Sequence, residues 1–196
     1  MDAHRVRIAP QPRRAVPALF VDRDGTVIDD PGYIADPARV SLIAGASATL
    51  SRFRDAGYAL VLVTNQSGIG RGLYRWSDYD AVAARLRDLL AAEGIVFDAE
   101  LACAHPPEEG TLCGWRKPAP GMIREAADRL DLDLAASVMA GDKLSDIEAG
   151  AAAGIPRLVH VASGQGTAER ARVLAWDGPV AVTALADLSH LSPCAS

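Results

Sequence analysis

Two aspartates at a spacing of two, Asp22 and Asp24, follow the apolar run Ala18–Val21 and precede Gly25-Thr26. In an open α/β sheet, ligands bind beyond the carboxyl ends of the strands, so a pair placed there turns both carboxylates into one cleft as the backbone bends at the glycine. On its own the string also reads as an ordinary Asp/Gly turn. Three further loops add to it. The run Tyr58–Val63 ends in Thr64-Asn65-Gln66-Ser67-Gly68-Ile69-Gly70, a hydroxyl and amides followed by glycines, which suits a backbone anion cradle. The run Val138–Ala140 ends in Gly141-Asp142-Lys143, with Asp146 one turn on. An acid at a third strand end is a candidate to share a hard cation such as Mg²⁺ with the first pair. Arg116-Lys117-Pro118 stands just before a helical pattern, and Lys117 and Lys143 are the two lysines of a chain whose 20 basic residues are otherwise arginines. A compact ammonium meets a phosphoryl group as a point charge. A carboxylate nucleophile, a second acid, a hydroxyl, a cation and a metal-binding acid together make a set for attack on phosphorus.

The elements that must position these loops alternate. Short apolar runs at Ala18–Val21, Tyr58–Val63, Val138–Ala140 and Arg157–Val161 are separated by helical patterns near Ala46–Ala56, Ser77–Ala92, Gly121–Leu130 and Ser145–Ala153. This predicts an α/β fold, a Rossmann-like three-layer sandwich with a mostly parallel sheet. In the second helix Ser77 is the expected N-cap, Val82, Leu86, Leu89 and Leu90 form the apolar stripe, and Gly94 stops it. A short strand at Val180–Val182 and a last helix close the pattern. Pro10, Pro12 and Pro17 punctuate the start, so residues 1–16 are expected to be a flexible tail, residues 17–190 one domain, and residues 191–196 a C-terminal tail.

The chain has 196 residues, 49% of them hydrophobic and 23% charged, with a net charge of −5. That is enough chain for one core without staples, and it excludes disordered and collagen-like classes. The acidic balance offers no surface for nucleic acid or an anionic membrane. Three cysteines, Cys103, Cys113 and Cys194, are too few and odd in number for a disulfide framework. The start of the chain has no apolar core for a signal peptide, and the apolar runs are too short to span a bilayer, so a cytoplasmic protein is expected. No helical pattern carries a second apolar face, which points to a monomer.

Asp22-x-Asp24-Gly25-Thr26, Thr64, Lys117 and Gly141-Asp142…Asp146 match, in order, the four motifs of the haloacid dehalogenase-like phosphatases, over Ala18 to Gly154. Closer strings, Asp22-Arg23-Asp24-Gly25-Thr26, Thr64 to Gly72, Cys103-x-His105, Arg116-Lys117-Pro118 and Gly141-Asp142-Lys143, resemble the D,D-heptose 1,7-bisphosphate phosphatases. The related histidinol-phosphate phosphatases share the outline. The resemblance implies that Asp22 is the nucleophile, Asp24 the general acid and base, and Thr64 and Lys117 the groups that stabilise the transferring phosphoryl. It implies Mg²⁺ on Asp22, the main-chain carbonyl of Asp24, and Asp142. Asp30, Gly32 and Tyr33 look like the substrate loop of the heptose branch. Asn65, Gln66, Ser67, Arg71, Arg116 and Lys143 are the other residues expected to meet a small phosphorylated sugar. The intervals between motifs are filled by the sheet's own elements, which implies the haloacid dehalogenase-like fold without a large cap domain.

Members of this family often hold a structural zinc through Cys-x-His followed by Cys-x-Cys. Here Cys103, His105 and Cys113 match three of the positions, and Trp115 occupies the fourth, where it cannot ligate. Either three ligands hold zinc with water, Glu108 or Glu109 as the fourth, or the loop is metal-free with Trp115 packed in the metal's place. Two readings of other classes are a phospho-accepting signalling module and a silent scaffold relative. The general acid Asp24 argues against the first, and the complete motif set against the second.

Overall fold

Runs such as Ala59-Leu60-Val61-Leu62-Val63 are apolar at every position because they are covered on both faces, as parallel strands flanked by helices must be. The computed structural model describes residues 3–30, 32–108 and 113–193. Its strands are β1 (His4–Ile8), β2 (Pro17–Val21), β3 (Ala59–Asn65), β4 (Ala99–Cys103), β5 (Asp133–Gly141), β6 (Arg157–Val161) and β7 (Val182–Leu185). The helices are α1 (Ala46–Asp55), the single turn α2 (Ser67–Gly70), α3 (Trp76–Ala91), α4 (Gly121–Leu130), α5 (Leu144–Ala153) and α6 (Gly166–Leu174). Among the described residues the strands form one sheet in the order β1-β4-β3-β2-β5-β6-β7, parallel except for β1. From β2 the chain winds outward through β3 to β4, then returns to the other side of β2 for β5, β6 and β7. The direction reverses between β2 and β5, where a doubly wound sheet opens its crevice.

Alternate strand residues serve opposite layers. Leu19, Val21, Leu60, Leu62 and Val138 pack with Leu50 and Phe53 of α1 and Val82, Leu86 and Leu90 of α3. Phe20, Val61, Val63 and Met139 pack with Met122, Ile123 and Leu130 of α4, Ile147 of α5 and Val173 of α6. The expected three-layer α/β architecture is therefore present.

The N-terminal segment departs from expectation. His4–Ile8 is not tail but an edge strand, antiparallel to β4 with His4 opposite Cys103. The reason is its two-residue alternation: Val6 and Ile8 pack on the core, while Arg5 and Arg7 pair with Asp80 (3.0 Å) and Glu100 (2.7 Å). β4 and α6 were not expected, and β7 starts at Val182, at the end of the predicted strand. A short 3-10 turn, Leu188–His190, stands where a last helix was expected. The second long helix begins at Trp76 instead of capping at Ser77, because the Arg75 N–H donates to the Asp78 carboxylate at 2.7 Å. No helix among the described residues is long and apolar enough to cross a membrane.

Candidate active site

Asp22 is the first residue past β2, at the reversal point, and its N–H donates to the Ala140 carbonyl of β5 (3.0 Å). Its neighbours arrive from three other strand ends. Lys117, in the loop between β4 and α4, reaches in with its Nζ 2.6 Å from Asp22 Oδ1, 2.6 Å from Asp146 Oδ1 and 2.8 Å from the Val63 carbonyl. All three charged side chains are buried. The loop that carries the lysine is clamped by Asn65, whose amide donates to the Lys117 carbonyl (2.9 Å) and accepts from the Lys117 N–H (3.1 Å). Asp146 also accepts from the Lys143 N–H (3.0 Å) at the start of α5.

A second network holds Asp24. The Arg23 guanidinium donates from Nε and Nη2 to its two carboxylate oxygens (2.9 and 3.0 Å), and the Gln66 amide donates to Oδ2 (2.8 Å). Gln66 also donates to Thr64 Oγ1 (2.8 Å) and accepts from Arg23 (2.9 Å) and the Tyr74 hydroxyl (2.6 Å). Arg23 is fully buried, with its Cζ 5.2 Å from the centre of the Tyr79 ring. A planar fork is the cation that fits this bidentate site.

Asp22, Thr64, Lys117 and Asp146 line a small deep pocket of about 40 Å³ that shares Asp24, Asn65, Lys143 and Ser145 with an outer cleft of about 360 Å³. The cleft is also lined by Asp30, Gly32, Tyr33, Gln66, Ser67 and Arg116, so the expected substrate residues converge there. Lys143 Nζ lies 3.8 Å from Asp30 and 3.6 Å from Asp142, so it stands between the loop of Asp30 and the end of β5. Arg71 is the exception: it stands apart from the cleft lining, paired with Glu108 at 2.9 Å. Gln165 and Glu169, also in the lining, were missed by sequence reasoning, as was the Ser163 contact to the Gly25 carbonyl (2.8 Å). The end of β6 was the one signal that could have pointed to them.

Carboxylate oxygens of Asp22, Asp142 and Asp146 lie within 4.8 Å of one another. Asp142 Oδ2 accepts from the Gln165 N–H (2.8 Å), while its buried Oδ1 accepts no hydrogen bond. A buried carboxylate oxygen without a donor is costly in a folded protein and fits a cation. Asp146 Oδ1 is likewise buried without a hydrogen-bond partner, and Lys117 stands 2.6 Å from both Asp22 and Asp146, so all three carboxylates are candidates to hold a cation. The Asp24 carboxylate lies outside this group. Burial pushes the Asp22 carboxyl up to about 6 although Lys117 pulls the other way, and burial reinforced by the Asp22 charge pushes Asp142 to about 8. Burial opposes the charge on Lys143, but Asp22 and Asp142 outweigh it and hold that ammonium above its ordinary range.

A second cluster lies at the far end of the loop that carries Lys117. Cys103, His105 and Cys113 come together there, and His4 joins them from β1. Both thiols are free, and burial pushes that of Cys103 up to about 12. Glu109, a possible fourth ligand, and Cys194 lie outside the described residues. Arg116 connects the two ends of the loop: its guanidinium donates to the His105 carbonyl (2.9 Å) while lining the cleft.

A doubly wound sheet that sets a lysine-paired aspartate, a second aspartate two residues on and a further buried aspartate at its reversal point is the frame of a haloacid dehalogenase-like phosphatase. Comparison with known proteins agrees. Residues 114–188 match the HAD-hydrolase-like family model. The chain is 46% identical to a D-glycero-β-D-manno-heptose-1,7-bisphosphate 7-phosphatase of Mesorhizobium japonicum over 71% of its own length and 67% of the relative's. It is 38% identical to the enzyme of that name from Salmonella typhi, over 89% and 94% of the two chains. The crystal structure of D,D-heptose 1,7-bisphosphate phosphatase from B. bronchiseptica, complexed with magnesium and phosphate, superposes with a TM-score of 0.79 at 34% identity, covering 88% of this chain and 94% of that one. The chain belongs to the D-glycero-β-D-manno-heptose-1,7-bisphosphate 7-phosphatase family.

Proposed function

We propose that this protein is a Mg²⁺-dependent phosphomonoesterase that removes the C7 phosphate of D-glycero-D-manno-heptose 1,7-bisphosphate, acting as a monomer in the cytoplasm. The observation that carries the chemistry is the buried Asp22 carboxylate, held by Lys117 at 2.6 Å in the deep pocket beneath Asp24. A carboxylate oxygen of Asp22 attacks phosphorus, and the P–O bond to C7 breaks. Its electron pair stays on the sugar oxygen, which takes a proton from Asp24. Asp24, now a carboxylate, takes a proton from water as that water attacks the aspartyl-phosphate. The P–O bond to Asp22 then breaks, giving phosphate and the free carboxylate. Lys117 and the Thr64 hydroxyl meet the charge on the phosphoryl oxygens. Asp146 and Asn65 act through Lys117, as positioning residues. Mg²⁺ held by Asp22, Asp142 and the Asp24 carbonyl would supply charge neutralisation between nucleophile and phosphate.

The outer cleft is sized for the sugar. Arg116 offers a guanidinium fork suited to a second phosphate, and Lys143 with the loop of Asp30, Gly32 and Tyr33 closes the other wall. The reading is tested by phosphate release, with and without Mg²⁺, from D,D-heptose 1,7-bisphosphate beside histidinol phosphate. A strong Mg²⁺-dependent preference for the heptose is expected. Preference for histidinol phosphate would keep the chemistry and reject the substrate, and no turnover of either would reject both.

A further inference from the structure

The end of β4 and the irregular segment before α4 supply three thiol and imidazole side chains, Cys103, His105 and Cys113, and Trp115 stands where a fourth would be sought. The fold brings another from far away in sequence. In the β1–β4 ladder His4 lies directly opposite Cys103, and the Ala104 N–H donates to the Ala3 carbonyl at 2.8 Å. Directly paired residues in an antiparallel ladder carry their side chains on the same face. His4 Nε2 is accordingly 3.2 Å from Cys113 Sγ, Cys113 Sγ is 3.4 Å from Cys103 Sγ, and Cys103 Sγ is 3.5 Å from His105 Nδ1. All four ligand atoms lie within 4.8 Å of one another. Zinc bonds of about 2.3 Å to sulfur and about 2.0–2.1 Å to nitrogen give tetrahedron edges of about 3.8 Å between sulfurs and about 3.5 Å between sulfur and nitrogen. The Cys103–His105 spacing is that edge, and the other two are edges drawn in by a few tenths of an ångström.

Trp115 takes a different part. Its ring stacks on the His4 imidazole at 4.5 Å between centres and 29° between planes. The residue that cannot ligate therefore backs the residue that can, and fixes the plane of its ring.

We propose that His4 completes a tetrahedral two-thiolate, two-imidazole zinc site with Cys103, His105 and Cys113, so that the metal pins β1 to the loop leading to α4. Soft thiolates with imidazoles in tetrahedral array select zinc over the hard cation of the aspartate site. The site is independent of the substrate reading, because its ligands lie outside the catalytic cleft.

The test uses the full-length protein. After dialysis in metal-free buffer, elemental analysis is expected to find one zinc per chain, and a chromophoric chelator is expected to remove it at least tenfold more readily from His4→Ala. The Co²⁺-loaded protein tests ligation directly. His4→Cys is expected to raise the thiolate-to-cobalt charge-transfer absorption by about half, three thiolates replacing two in a tetrahedral site. Wild-type protein without zinc, His4→Ala holding zinc as tightly as wild type, or an unchanged cobalt spectrum in His4→Cys would each overturn the proposal.

Discussion

Lys117 meets two buried carboxylates and a main-chain carbonyl at once, so it is the residue on which the site's electrostatics turn. Removing one partner of a buried ion pair costs about 3–5 kcal/mol, because the other charge is left buried alone. Lys117→Met should therefore lower the unfolding free energy by about that amount as well as abolish turnover, whereas Asp22→Asn should abolish turnover and keep the fold. Denaturant unfolding beside phosphate release separates the two. The raised carboxyls give a pH signature. A carboxyl whose folded pKa lies above its ordinary value binds more protons folded than unfolded, so its contribution to stability is present at low pH and lost as pH rises. In metal-free protein the Tm should fall between about pH 4 and pH 8, through the values of about 6 for Asp22 and about 8 for Asp142. Added Mg²⁺ should restore it most at the alkaline end. A metal-free Tm that rises over that range would contradict this. Asp22, Asp24, Thr64, Lys117 and Asp142 were legible because each ends or follows a recognisable motif. Arg23 was not: as a charged residue between two aspartates it reads as surface, and only the fold shows it buried as the clamp of Asp24.

At the scale of elements, the turn after β2 works only with glycine. Gly25 has φ +84°, and a Cβ there would lie 2.3 Å from Asp142 Oδ2. Gly25→Ala should displace that carboxylate. Activity is expected to fall about a hundredfold, as misplacement of a catalytic group by about 1 Å does. The apparent Mg²⁺ affinity should weaken in parallel, read by the Mg²⁺ dependence of turnover. Wild-type Mg²⁺ dependence in the variant would show that the glycine does not shape the site. The helices over Ala46–Asp55, Gly121–Leu130 and Leu144–Ala153 were legible to within a residue, because their apolar spacing is regular. β1 and β4 were not, for physical reasons. In β1 two arginines alternate with His4, Val6 and Ile8 beside two prolines, which resembles a tail until β4 offers an edge. β4 carries Glu100, buried only because Arg7 and Arg87 neutralise it at 2.7 and 3.0 Å.

The whole molecule carries a net charge of −5, yet its cleft must attract a bisphosphate. Lys117, Lys143 and Arg116 line the cleft and the small pocket adjoining it, which concentrates positive charge at the reversal of the strand order. Raising ionic strength should therefore raise KM for a bisphosphate more than for a neutral-ended aryl phosphate, a comparison made in one steady-state series. Equal salt dependence would remove the proposed role of Arg116 at a second phosphate. The overall architecture was legible from the alternation of elements. The convergence of the loops after β2, β3 and β5 was expected with it, but the contribution of Gln165 and Glu169 beyond β6 was not, since proximity across strands is set by sheet order.

The central claim is that Asp22 carries the phosphoryl group between two steps served by Asp24. An aryl phosphate needs no proton on its leaving group, so Asp24→Asn should retain the first step and stall the second. Rapid mixing of that variant with a ³²P-labelled aryl phosphate in Mg²⁺ should release one equivalent of phenol in a burst and leave acid-stable label on the peptide containing Asp22. Release without a burst, or label on any other residue, would contradict the account.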